Sequence, residues 1–195
     1  MVSRLLATRQ PGSLPVFVGD GRYGNHRFLH PLRNLPLGGV PVRLRRDRVF
    51  YREPGPYSGR GRPRRHGKRF AFKEPETWGE PDRALCWVDG RWGKVEVMVW
   101  HRLHPRQAYD LPLAVVRIRA HLEREKPPPP LWLAWLGPEQ EDGRLFLHWY
   151  DHRWPIEPAI HFRKRELGWV LPRFQEPERC DEWTTLNDVV QTREG

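Results

Sequence analysis

Two apolar runs, ALCWV and KVEVMVW, flank the pairs Asp89-Gly90 and Trp92-Gly93. Runs of this length on either side of a Gly-containing connection predict a β-hairpin. AVVRIRAHL and LWLAWL follow, separated by the four prolines Pro127 to Pro130, and read as further strands. The middle of the chain is therefore committed to β structure. LPVFVG, ending at Gly19, predicts a brief buried strand with Asp20 at its carboxyl end, where open α/β sheets place functional groups. YGNHRFLHPLRN predicts a helix that Pro31 bends or ends, and VRLRRDRVFYR predicts one arginine-dense strand from Val42 to Arg52. Residues 53–83 are rich in Pro, Gly and basic side chains without apolar periodicity, which predicts a long loop. Residues 139–167 have helical character, with Gly168 as the stop.

The 195 residues suffice for one domain, or one domain carrying an insertion, with a real core. Lys and Arg number 34 against 24 Asp and Glu, a formal charge of +10 that points to a polyanionic partner, nucleic acid above all. Cys86 and Cys180 form no CxxC pair, so neither a zinc site nor a disulfide scaffold is indicated. The N-terminus lacks an apolar run of signal-peptide length and nothing approaches a membrane span, so the expectation is a cytoplasmic, nucleoid-associated protein without membrane contact.

Tyr150, Arg153, Glu157 and Lys164 stand in the pattern Y-x2-R-x3-E-x6-K. Steps of three, four and seven residues put all four on one face of a single helix. One carboxylate would then sit among a phenol, a guanidinium and an ammonium, a set suited to holding a metal ion and a phosphodiester together. Asp20 is the other candidate metal ligand, because phosphoryl transfer by Mg²⁺ needs hard carboxylate oxygens. The plainer reading of Asp20 is a turn residue in GDGRYG, and of Glu157 a carboxylate at a helix N-terminus.

The Y-R-E-K spacing resembles the signature of one group of DDE transposases from bacterial insertion sequences, and VFVGDGRYGNHRFL resembles the segment around their second catalytic aspartate. The resemblance implies a fold of the α/β class, a partial ribonuclease H-like core interrupted by a β-rich insertion. It divides the chain into 1–45, core with the second Asp; 46–138, insertion with a basic loop; and 139–195, helical remainder with the Glu. It implies that Asp20 and Glu157 are catalytic and bind Mg²⁺, while Tyr150, Arg153 and Lys164 hold the phosphates of transposon ends. Mg²⁺-dependent strand cleavage and transfer is the implied activity, with an oligomer on DNA possible. Only nineteen residues precede Asp20, so the expectation is a truncated copy that lacks the first aspartate and is inactive alone.

A second constellation, SGRGRPRRHGKRF, contains Arg60-Gly61-Arg62-Pro63, the core of an AT-hook, followed by Arg64 and Arg65. Such a segment lies extended in the minor groove, where arginines meet enhanced negative potential. It supports the alternative of a noncatalytic DNA-binding protein, and equally a basic linker making nonspecific phosphate contacts. The tryptophans of the strand-like segments read as packing residues, and His148, His152 and His161 match no zinc spacing.

Overall fold

A computed structural model describes residues 13–57, 59–122, 128–139, 142–153 and 156–193. The chain divides into two compact units, Met1–Tyr150 and Asp151–Gly195. The first is built on a seven-stranded antiparallel sheet in the order β1-β7-β6-β5-β2-β3, with β4 also paired to β5. Its strands are β1 (Val40–Leu44), β2 (Val49–Arg52), β3 (Arg69–Ala71), β4 (Arg83–Asp89), β5 (Gly93–Pro105), β6 (Leu113–His121) and β7 (Leu131–Leu136). Helix α1 spans His26–Leu32 and α2 spans Arg144–Asp151.

The hairpin forms as its sequence predicts, with Asp89↔Gly93 closing a ladder that runs to Arg83↔Val99. The Asp89 carboxylate accepts from the N–H groups of Arg91 (2.8 Å) and Trp92 (3.0 Å), replacing the pairing the turn lacks. β5 is long enough to take two partners on one edge, β4 along its first half and β2 at Leu103–Pro105. A bulge separates them: the β5–β6 register shifts between Trp100 and Leu103, and Arg102 adopts φ 54°.

Both faces of the sheet are buried, which is why LWLAWL is apolar without alternation. Trp132 and Ala134 face one core with Val42, Trp100, Val115 and Phe70, while Leu133 and Trp135 face the other with Val95, Val97, Val116 and Phe146. α1 covers the first core with Leu29 and Leu32, and α2 covers the second with Phe146. Asn25 caps α1, its side chain accepting from the Phe28 N–H, and Pro31 occupies the last turn, so the helix ends at Leu32 as expected.

Several sequence-based boundaries shift. The arginine-dense stretch from Val42 to Arg52 is two strands, not one, broken by a reversal in which the Arg48 N–H donates to the Arg45 carbonyl. Residues 53–83 are not a continuous loop: β3 and a 3₁₀ turn at Pro75–Thr77 lie within them. Side chains stabilise this short element, since Thr77 Oγ1 accepts from the Ala71 N–H at 2.8 Å and Trp78 Nε1 donates to the Ala71 carbonyl at 2.7 Å. Apolar periodicity does not reveal such an element. LPVFVG forms no strand of the sheet; Leu14 is exposed, residues 15–18 are half-buried and Gly19 is buried, and the segment makes two isolated parallel bridges, Val16↔Gly39 just before β1 and Gly19↔Val42 within it. The boundary drawn at 45/46 falls between β1 and β2 of one sheet.

In the second unit, α3 spans Ile156–Arg165 and α4 spans Pro177–Arg193. Gly168 takes φ 62° and the Trp169 N–H reaches back to the Arg163 carbonyl at 2.9 Å, the expected stop. Trp183 Nε1 donates to the Trp169 carbonyl at 3.1 Å, and Trp169 Nε1 to Thr184 Oγ1 at 3.1 Å, which ties α4 to that turn.

One close approach is decisive for the first unit. A Cβ built on Gly39 would stand 1.8 Å from Cη2 of Trp135, whose ring lies over the β1–β7 pair. We expect Gly39→Ala to destabilise the protein by about 3 kcal/mol, because the ring is fully packed and overpacking forces backbone shifts. Urea unfolding with an unchanged m-value checks this; a loss under about 0.5 kcal/mol would mean the ring moves freely.

Candidate nucleic-acid interface

Asp20 follows the extended segment pinned to β1 by the Gly19 N–H to Pro41 carbonyl and Arg43 N–H to Gly19 carbonyl bonds, both 3.0 Å. Its Oδ1 accepts from the Arg22 N–H at 2.8 Å and its carbonyl from the Tyr23 N–H at 3.1 Å. The carboxylate thus closes a turn. Gly24 then passes so near β1 that an added Cβ would meet the Arg43 carbonyl oxygen. This places the GDGRYG turn beside the arginines at the end of β1.

Those arginines line a cavity of 670 Å³ together with Gly21, the residue after Asp20. Among the described residues, Arg43, Arg45, Arg46, Lys73 and Arg117 contribute cationic side chains, Asp47 the single carboxylate, and Phe72, Trp78 and Trp132 apolar walls. Asp47 is engaged by Arg45 at 3.1 Å. Arg117 differs from the rest in being buried, at 8% exposure, with its guanidinium 5.2 Å from the Trp78 ring centroid. Burial pulls its pKa below the usual arginine value, Arg119 pushes the same way, and Glu96 opposes them.

The AT-hook-like arginines Arg60, Arg62, Arg64 and Arg65 are exposed. Gly59 and Gly61 have positive φ, and the Tyr57 hydroxyl donates to the Gly61 carbonyl at 2.6 Å, so the segment turns rather than running fully extended. Its base is fastened to the sheet. The Gly67 N–H donates to the Arg52 carbonyl at 2.8 Å, Arg65 lies 5.0 Å from the Tyr109 ring centroid, and His66 Nδ1 meets His104 Nε2 at 3.0 Å. His104 is 2% exposed; burial first and then the neighbouring His66 hold its pKa below the usual 6.5.

The Y-R-E-K residues do not share one helix, which corrects the single-face expectation. Tyr150 is in the last turn of α2, Arg153 follows that helix, and Glu157 and Lys164 are seven positions apart on α3. Pro155 in the sequence supplies the reason, since proline lacks an N–H and disfavours helical conformation in the residue before it. Tyr150 is half-buried against the second core; Arg153 is half-buried and Lys164 exposed. The side chain of Glu157 lies outside the described residues, as do Trp154 and Pro155.

A carboxylate pair at Asp20 and Glu157 has the hard-oxygen chemistry that suits Mg²⁺. Among the described residues no group of three His, Cys, Asp or Glu side chains is placed to hold a metal ion. No described helix is long and apolar enough to cross a membrane. The cationic cavity and the His66–His104 pair escaped the sequence reading. The period-two alternation of AVVRIRAHL carried a signal for the first, since it sets Arg117 on the same face as Leu113 and Val115.

Comparison with known families places this geometry. Residues 1–106, more than half of the chain, match the family described as DDE superfamily endonuclease, and the chain belongs to that family. The matched region contains Asp20, the arginines of β1 and the basic loop, and ends before the Y-R-E-K residues. A comparison with curated proteins found no match.

The histidine pair makes the loop attachment sensitive to pH. With its folded pKa below 6.5, His104 favours the fold when neutral, so its contribution is present above about pH 6.5 and is lost as pH falls below that value. We expect cleavage by trypsin within residues 59–65 to accelerate between pH 7 and pH 5.5, after correction for the protease's own pH profile. Replacing His104 with Gln should flatten that dependence; a profile unchanged by the substitution would detach the effect from this pair.

Proposed function

We propose that the chain is a DNA-acting protein of the insertion-sequence transposase type, of the Y-R-E-K group, that binds double-stranded transposon ends through its basic surface. The observation carrying this reading is the family match over residues 1–106 combined with the cationic cavity that begins one residue after Asp20. Asp20 and Glu157 would hold Mg²⁺. When bound, the ion supplies an activated water and stabilises charge on the scissile phosphate. Arg153 would grip phosphate oxygens in a fork and Lys164 would act as a mobile point charge. Tyr150, which packs against the second core, would offer its hydroxyl to the same phosphates. Assembly of two or more chains on the DNA ends accords with the need to process both.

Two carboxylates are assigned where a two-ion centre of this class uses three. We therefore expect end binding without strand transfer by this chain alone. The assay supplies purified protein with Mg²⁺ or Mn²⁺ and DNA carrying the parent element's ends. Metal-dependent nicking abolished by Asp20→Asn and by Glu157→Gln would overturn inactivity and establish the catalytic assignment. Binding that is indifferent to metal and to both substitutions would favour the second reading, a noncatalytic DNA-binding protein. The Asp20 Oδ1 bond to the Arg22 N–H favours that reading, because it gives the carboxylate a structural task.

Contacts from Arg60 and Arg62 are tested separately. Replacing both with Ala should weaken duplex binding and flatten the salt slope by up to about two units if each meets one phosphate. Loss of preference for A·T-rich over G·C-rich duplexes would mark minor-groove contact. Anisotropy unchanged on both duplexes would reduce the loop to a connector.

A further inference from the structure

We infer that the cavity around Arg117 is a binding site for a phosphate group, and that a backbone phosphodiester of DNA is its occupant. The source of the phosphate rests on the DNA-binding reading above; the site itself does not.

Arg117 is the reason. It lies on β6 with its side chain on the first core face, between Leu113 and Val115 on one side and Trp132 of β7 in register opposite it. At 8% exposure it is more than nine-tenths buried, yet among the described residues no carboxylate forms an ion pair with it. Its contacts are weak or incomplete. Nη1 meets the Met98 thioether at 3.9 Å, the guanidinium faces the Trp78 ring, and Nε has no hydrogen-bond partner. A cation taken out of water needs an anion or a full set of acceptors, and a thioether and a ring face supply neither. The uncompensated charge lines an open cavity rather than a closed core.

The remaining lining makes the missing partner an oxyanion that offers oxygens to several cations at once. Lys73 and the arginines Arg43, Arg45 and Arg46 bring four further positive charges, and Asp47, the only carboxylate among the described lining residues, is already bonded to Arg45. Guanidinium groups present paired N–H donors matched to tetrahedral oxyanions, and Lys73 adds a point charge. Phe72, Trp78 and Trp132 form apolar walls that lower the local dielectric and strengthen each of these attractions. A free carboxylate would satisfy one guanidinium; a phosphate offers oxygens to several. The exposed arginines at the rim lead outward to solvent, which suits one phosphate of a continuous backbone rather than a ligand enclosed on all sides.

The test uses the full chain, with pyrophosphate and a 20-base-pair duplex as probes, at constant ionic strength set with chloride. Pyrophosphate should raise the melting temperature of the wild type. Arg117→Met, which keeps the length of the side chain and removes its charge, should fold, melt no lower than the wild type without anion, and lose that rise. The exposed Lys73→Gln serves where the buried substitution disturbs folding, and should weaken pyrophosphate about threefold or more. Duplex affinity should fall about tenfold in Arg117→Met and the salt slope should become shallower by about one unit. A pyrophosphate-dependent rise unchanged in Arg117→Met, or in Lys73→Gln, overturns the site. Arg117-dependent pyrophosphate binding by a wild type that does not bind duplex keeps the site, overturns the backbone phosphodiester as its occupant, and overturns the DNA reading with it.

Discussion

The first unit depends on β5 pairing with two different strands along one edge. β4 takes the first half, β2 takes the end, and the bulge at Arg102, where the β5–β6 register on the other edge shifts, marks the change of partner. The bulge also sets which residues face which core: Val95, Val97 and Val99 go to one and Trp100 and Leu103 to the other. Burial of both faces supplies the hydrophobic driving force, at roughly 25 cal/mol for each Å² of apolar surface removed from water. Everything of chemical interest is arranged around that frame. The cationic cavity occupies the first face between β1, β6 and β7, and the basic loop is fastened where β2 and β5 meet.

The same arrangement explains why a protein of +10 charge folds around arginines without gathering them into its core. Arg45 and Arg46 on the β1–β2 reversal and Arg60, Arg62, Arg64 and Arg65 on the basic loop are exposed, where water screens them. Asp110 answers two basic groups, His30 and Arg33, each at 2.9 Å, and its carboxyl is drawn down to about 2. Arg69 pairs with Glu74 through both guanidinium nitrogens at the base of the 3₁₀ turn. Among the described arginines Arg117 alone is taken inside, and its position beside Trp78 and Trp132 is one that a purely structural side chain would fill better with methionine or leucine.

How far this was legible in the sequence differs by element. The Asp89-Gly90 hairpin, β6, β7 and the Gly168 stop were readable because their signals are local: alternating or continuous apolar runs and a residue free to take positive φ. β3 was not, since three residues carry no period and their partners, Thr77 and Trp78, act through side chains. The break after α2 was underweighted because a spacing of three, four and seven is compelling only if the helix continues, and Pro155 argued otherwise. At the candidate site, residue types announced a cationic surface, but nothing local indicated which cations would share one cavity. Arg43, Lys73 and Arg117 come from three separate strand regions, and only sheet order brings them together.

The Arg102 bulge carries a consequence for how the chain tolerates change over evolutionary time. The three steps from Trp100 to Leu103 on β5 span only two on β6, from Val115 to Leu113, and a strand running straight through them would put Trp100 and Leu103 on opposite faces. His104 would then leave its place against His66, and Leu103 would leave the core. The extra residue prevents this, and it does so at φ 54°, where glycine and asparagine are at ease and proline and β-branched side chains are not. Descendants of this sequence should hold position 102 to residues that accept the left-handed conformation, while a deletion there would straighten the edge without exchanging the two cores.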